Sequence, residues 1–400
     1  MSSPAVPATS RKADAPPTAD SRRAFRPDIE GLRALALLAV LGFHADIPGM
    51  TGGYVGVDVF FVISGYLITG LLLREALGTG RIRLAEFYSR RARRLLPSAG
   101  LVLAAVSVAA VFLVGPLSRT DIYHDVLAAA LSVSNWRFIG EQTDYLAAGR
   151  DPSPLLHFWS LAVEEQFYLV WAPLFALLVR LFLRAGNRRG DGDAARRRLR
   201  AALAVVVVGA GAVSLLLCLR WSHDSVSLAY LGTPSRVWQF GAGALLAMLP
   251  ARLLGPARLR PLLGWAGLAA VVLTTVRYNS GTPYPGSAAL LPTLGAAAVI
   301  LGGSPSGEPG AGYPWYHPGR LLSARAPRAV GRLSYNLYLW HWPVLVLADD
   351  WTGRTLPWPV KAALTLAAVL PAYAAMRWVE RPLRSSRVVT ELPRRGLSLA

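Results

Sequence analysis

Cysteine is almost missing from these 400 residues. Cys218 stands alone, which excludes an intramolecular disulfide and argues against a cysteine-based metal site. Lysine is nearly as scarce: Lys12 and Lys361 are the only two, so arginine carries almost all of the +19 formal charge. Charged residues of either sign reach only 16%, against 53% hydrophobic, and mean hydropathy is +0.38. A soluble protein of this length needs a more charged surface than that. The sequence also has no G-x-S-x-G nucleophile elbow, no histidine pair at i, i+4, and no internal repeat of the kind many transporters carry. Its first 25 residues are rich in Pro, Ala, Ser and Thr but hold no continuous apolar stretch, so they read as a disordered tail and not as a signal peptide.

What is present is a series of apolar runs of about 17–20 residues, the length that crosses a bilayer. The expected fold is an all-α polytopic membrane protein with about ten transmembrane helices: Leu32–Ile47, Tyr54–Leu73, Leu96–Val114, Leu155–Leu183, Ala201–Leu219, Arg236–Leu249, Leu262–Val276, Ala288–Leu301, Leu333–Ala348 and Val360–Met376. The arginines lie in alternate connections, as the positive-inside rule describes. Arg74, Arg81, Arg83, Arg90, Arg91, Arg93 and Arg94 share one loop expected in the cytoplasm, and the segment from Gly115 to Pro154, with balanced charge, is expected outside. Both termini then fall in the cytoplasm: a tail over residues 1–25, a membrane domain over 26–384, and a second tail over 385–400. A strongly basic chain can signal nucleic acid, but arginines distributed by topology need no such partner.

Ionisable residues inside a span cost roughly 2.5–3.5 kcal/mol each and are functional candidates by default. Arg33 and His44, eleven positions apart on the first span, share a face, because eleven steps of about 100° make three turns plus ~20°. The plainer alternatives are that Arg33 snorkels to the headgroups and that His44 only marks the exit of the helix. In LLHFWSLAVEEQFYLVW, residues His157, Ser160, Glu164 and Tyr168 fall on one helical face, flanked by Glu165 and Gln166. Asp58 lies between two apolar stretches in GGYVGVDVFFVISGYLITG, and RLSYNLYLWHWPV puts Ser334, Tyr335, Asn336 and His341 on the ninth span. Trp340 and Trp342 beside His341 also suit an interfacial aromatic belt. No metal site emerges, since histidines 44, 157 and 341 come from different spans. Cys218 reads as a small buried residue and not a nucleophile.

Six stretches in order, RPDIEGLRALALLAVLGFHA, GGYVGVDVFFVISGYLIT, FYSRRARRLLP, FWSLAVEEQFYLVW, PSRVWQFGAGALLA and RLSYNLYLWHWPV, resemble the motif set of the acyltransferase-3 family of integral membrane O-acyltransferases, from about Arg26 to Arg384. The family's first-span arginine and histidine, with ten residues between them, match Arg33 and His44. The resemblance implies a multi-pass enzyme of the bacterial cell membrane that takes an acyl group, acetyl above all, from cytoplasmic acyl-CoA to a hydroxyl of a carbohydrate, a glycolipid or a macrolide-type acceptor. Acyl-CoA would be a co-substrate, with no bound cofactor and no metal. Some relatives carry a fused extracytoplasmic domain that helps hand on the acyl group. These 400 residues hold none, which leaves either a separate transfer partner or a direct acceptor.

Acyl-CoA bears several negative charges, and arginine's planar fork suits phosphate. Arg33 with Arg90, Arg91, Arg93 and Arg94 is therefore the expected donor-binding set, the alternative being a basic loop that only sets topology. Neutral imidazole has a suitable pKa to activate an alcohol, so His44 is expected either as the base or as a transient acyl carrier. Glu164 or Asp58 would orient or charge-stabilise it, as a carboxylate does in a triad, or bind sugar hydroxyls; His341 and Arg236 are lesser candidates. The rival class is a transporter or flippase, whose pathway would also hold intramembrane ionisable groups.

Overall fold

A computed structural model describes residues 26–143, 152–188, 191–250, 256–303 and 313–385. The two expected tails, residues 1–25 and 386–400, lie outside the described residues. Among the described residues the chain is helical and has no strand. Six helical stretches among the described residues are long and apolar enough to cross a membrane: Gly53–Thr79, Leu84–Leu113, Phe158–Leu183, Gly192–Asp224, Ala257–Arg277 and Trp358–Arg384. This is a multi-pass membrane protein. The other four expected spans are also helices but fall outside that measure. Two of them, over Thr233–Met248 and Leu290–Gly302, are short; the other two, Pro27–His44 and Arg325–Thr352, carry several charged residues.

The first helix, α1 (Pro27–His44), starts on a proline at N1 with Asp28 and Glu30 in its first turn. Both features suit a helix N-terminus, whose exposed N–H groups favour negative charge. The next helices are α2 (Gly56–Thr79) and α3 (Leu84–Leu113). The stretch Arg90–Arg94, expected in a loop, is instead helical and belongs to the first turns of α3. Arginine is a good helix former, whereas hydropathy marks only the part of a helix that lies in lipid. The segment expected as an outer connection also folds into helices, α4 (Pro116–Ala130) and α5 (Ser134–Thr143). Arg137 ties these two together, with Nε 2.5 Å from Asp125. Burial pushes the Asp125 carboxyl above its ordinary value, against the pull of Ser153 and Arg137.

After α6 (Phe158–Arg188) and α7 (Gly192–Asp224) come the short α8 (Val226–Leu231) and α9 (Thr233–Met248). They are followed by α10 (Arg260–Arg277), α11 (Leu290–Gly302), α12 (Pro318–Leu322) and α13 (Arg325–Thr352). The last span is broken into α14 (Trp358–Ala367), α15 (Val369–Ala374), a π-helical turn at Ala375–Glu380 and α16 (Arg381–Ser385). Pro371 withholds the N–H that the carbonyl of Ala367 would accept, and α14 ends there.

Side-chain bonds fix the relative directions. Ser64 reaches Glu164 and Trp171 reaches Thr69, so α2 and α6 run parallel. Tyr88 bonds the carbonyls of Tyr168 and Leu169 while Arg91 pairs with Glu165, so α3 opposes α6. Arg33 meets Ser334 and His44 meets His341, so α1 and α13 run parallel. Glycines let α2 and α9 approach closely. A Cβ on Gly65 would overlap the Phe240 carbonyl, and one on Gly243 the Val62 carbonyl. Without a hydrophobic drive between helices in lipid, such small-residue contacts let backbones pack directly. One large core, with Phe61, Trp159, Phe167, Phe175 and Phe240 among its members, fills the space between α2, α6, α7 and α9.

Candidate active site

Two neighbouring cavities lie inside the bundle. The larger, about 990 Å³, is lined by Arg33, Arg90, Arg91, Arg93 and Arg94 together with Glu164, Glu165 and Tyr168. The smaller, about 200 Å³, is lined by His44, His157 and the aromatic rings of Tyr54, Trp159, Tyr230 and Trp342. Val57 and Tyr338 line both.

The polar face read on the fourth span does turn inward. Ser160 Oγ and the Tyr338 hydroxyl lie 2.6 Å apart. Glu164 accepts from Ser64 at 2.7 Å and from the Tyr168 hydroxyl. The arginines of the large cavity differ in how they are held. Arg91 bonds Glu165 at 2.7 Å and lies over the Tyr168 ring, 3.5 Å from its centroid. Arg90 sits 3.4 Å from Glu86 and 3.6 Å from Glu75. Arg33 donates to Ser334 Oγ at 2.8 Å, and Arg94 stands exposed at the rim.

In the small cavity His44 Nδ1 lies 2.9 Å from His341 Nε2. Their rings lie nearly coplanar and edge to edge, with centroids 5.2 Å apart and 14° between planes, and Trp342 packs 4.5 Å from His44. His341 is fully buried, its Nδ1 3.1 Å from the Leu337 carbonyl. His157 Nε2 lies 3.1 Å from the Leu339 carbonyl. That carbonyl is available because Pro343, four residues on, has no N–H to give it. Three histidines thus gather here, His44 at the end of α1, His157 in the turn before α6 and His341 in α13, and the first two line the small chamber. No cluster of three or more metal-ligating side chains occurs among the described residues.

The sequence pattern of the acyltransferase-3 domain (Acyl_transf_3, acyltransferase domain) matches residues 26–377. The chain belongs to the acyltransferase-3 family. It is 31% identical over 376 residues to a peptidoglycan O-acetyltransferase, OatA, of Listeria monocytogenes, covering 91% of this chain and 56% of that protein. To the O-acetyltransferase OatA of Staphylococcus aureus it is 30% identical over 378 residues, covering 90% of this chain and 57% of that one. The chain thus spans a little over half the length of these relatives. No solved structure matches it significantly.

Against this family frame, the structure brings Arg33, Arg90, Arg91, Arg93, Arg94 and Glu164 to one cavity and His44 to the adjoining one. It does not bring Asp58 or Glu164 to His44. Asp58 is buried against Arg236, with Nη1 to Oδ1 at 3.1 Å, and also accepts from Gln239 and the Tyr284 hydroxyl. The bonded partner of His44 is His341. In the sequence His341 stands as a lesser candidate because tryptophans on both sides suit an aromatic belt equally well. The signal that could have raised it is Tyr338 and His341 three residues apart, which puts both on one helical face with Ser334.

Proposed function

We propose that this protein is a membrane O-acyltransferase that carries an acetyl or similar short acyl group from acyl-CoA to a hydroxyl of a cell-wall carbohydrate. One observation carries the reading: a cavity bordered by six arginines, Arg384 being the sixth, adjoins a chamber lined by His44 and His157, with Val57 and Tyr338 common to both. Its volume of about 990 Å³ lies at the upper end of the range for ligand sites, roughly 300–1,000 Å³. The arginines supply the charge that the phosphates of acyl-CoA need, Arg33 and Arg94 directly, and Arg90 and Arg91 by exchanging a carboxylate for a phosphate. The carbohydrate acceptor is supported by the names of the relatives, and the cytoplasmic placement of both termini by the arginines in alternate connections.

In this scheme the acyl thioester reaches past Tyr338 to His44. By one route a ring nitrogen of His44 takes the proton of the acceptor hydroxyl as its oxygen attacks the thioester carbonyl, and the thiolate of CoA leaves. By the other, the same nitrogen attacks the thioester itself, CoA departs, and the acyl-imidazole then passes its acyl group to the hydroxyl. The aromatic walls of the small chamber suit the face of one sugar ring.

The test is turnover of labelled acetyl-CoA by purified protein in detergent, with soluble peptidoglycan fragments as acceptor, for wild type and His44→Ala. Release of free CoA and labelled acceptor by wild type alone supports the reading. Equal turnover by the variant removes His44 from the chemistry. Absence of acyl-CoA binding and turnover moves the case to a transporter of sugar-lipids.

A further inference from the structure

We propose that His341 is a positioning residue that fixes the tautomer of His44, so that the Nε2 lone pair of His44 is the one presented to the small chamber. This inference rests on the acyltransferase reading above. Its argument is one of donors and acceptors. The Leu337 carbonyl can only accept, so His341 Nδ1, 3.1 Å away, carries the hydrogen. In neutral His341 the other nitrogen, Nε2, is then a lone pair and can only accept. His44 Nδ1 stands 2.9 Å from it and must donate. Neutral His44 therefore has its proton on Nδ1 and its lone pair on Nε2.

The geometry holds both rings in that relation. His341 is fully buried and its ring is nearly coplanar with that of His44, edge to edge. Trp342 packs against His44 and is itself tied by its indole N–H to the Ser153 carbonyl at 2.9 Å. The acceptor that orients a catalytic histidine is often a carboxylate, but a carboxylate inside a membrane bundle is costly to bury. A neutral imidazole anchored to the backbone supplies the same acceptor without a charge. When His44 takes a proton at Nε2, its Nδ1–H bond to His341 becomes charge-assisted and stronger. This explains why neither Asp58 nor Glu164 is needed next to His44.

Two variants and one spectroscopic measurement test this. His341→Phe removes the acceptor, whereas His341→Gln can restore one through its carbonyl oxygen. Nitrogen NMR of protein labelled with [15N]histidine, with His44 assigned by the signal lost in His44→Ala, reports which nitrogen bears the proton and needs no turnover. The expected result is a protonated Nδ1 and a bare Nε2 in wild type and in His341→Gln, and a mixture in His341→Phe. In kinetics, His341→Phe lowers kcat by about 100-fold or more with KM for acyl-CoA nearly unchanged, and His341→Gln recovers most of that loss. The proposal is overturned by an Nε2-protonated His44 in wild type, or by a folded His341→Phe with wild-type kcat. If His341→Phe does not fold, the wild-type tautomer and the His341→Gln kinetics decide. Turnover retained by His44→Ala would instead defeat the acyltransferase role of His44 while leaving the tautomer measurement standing.

Discussion

Removing the carboxylate of Asp58 tests whether that residue belongs to the chemistry or to the frame. Asp58 and Arg236 are each 2% exposed, with Nη1 to Oδ1 at 3.1 Å. Arg236 also donates from Nε to the Tyr230 carbonyl at 2.8 Å and lies 4.9 Å from the centroid of the Tyr230 ring. Asp58→Ala leaves the guanidinium buried without its counter-charge and leaves Gln239 and Tyr284 without their acceptor. Breaking one side of a buried ion pair costs about 3–5 kcal/mol, which for a chain of this size lowers the melting midpoint by roughly 4–6 °C. The chain carries its own probe, since the lone Cys218 is fully buried and packs with Trp238, two residues along α9 from Arg236. A thiol-reactive fluorogenic dye should label it only on unfolding, and at a lower temperature in the variant. The double variant Asp58→Leu with Arg236→Met removes both charges and should melt within about 1–2 kcal/mol of wild type. If it also turns over acyl-CoA, Asp58 is part of the scaffold. An unchanged midpoint in Asp58→Ala, or a double variant as weak as the single one, refutes the reasoning.

Three further outcomes are expected. Arg33→Lys, which keeps the charge but loses the planar fork that reaches Ser334, should raise KM for acyl-CoA by about tenfold with kcat largely kept; steady-state CoA release decides it. Gly243→Leu forces a side chain into the Val62 carbonyl at the α2–α9 contact and should cost several kcal/mol, read as loss of the monodisperse peak in size-exclusion chromatography. Pro343→Ala returns an N–H to α13 that competes for the Leu339 carbonyl now taken by His157. It should lower kcat while the Cys218 labelling midpoint does not fall, and an unchanged kcat would separate the His157 anchor from turnover.

The helices were legible because apolar runs and arginine asymmetry are local signals. The common face of Arg33 and His44 was legible too, since eleven residues at helical pitch decide it. What those two residues touch was not, because Ser334 and His341 come from a helix about 300 residues further on, and helical periodicity gives a face but never the neighbour. Asp58 shows the same limit more sharply. A lone carboxylate in an apolar run reads alike whether it faces a histidine or, as here, an arginine 178 positions away. The helices α4 and α5 were hidden by a mixed composition in which balanced charge argued for an outer loop, although it says nothing about helicity. Pro343 is the instructive residue. In WHWPV it reads as a helix irregularity, yet the missing N–H four residues after Leu339 is what frees the carbonyl that His157 binds. A proline beside histidines in a membrane helix thus carries positional information. It marks the residue four before it as an acceptor open to another helix, and the polar residues of the other spans are the natural donors to it.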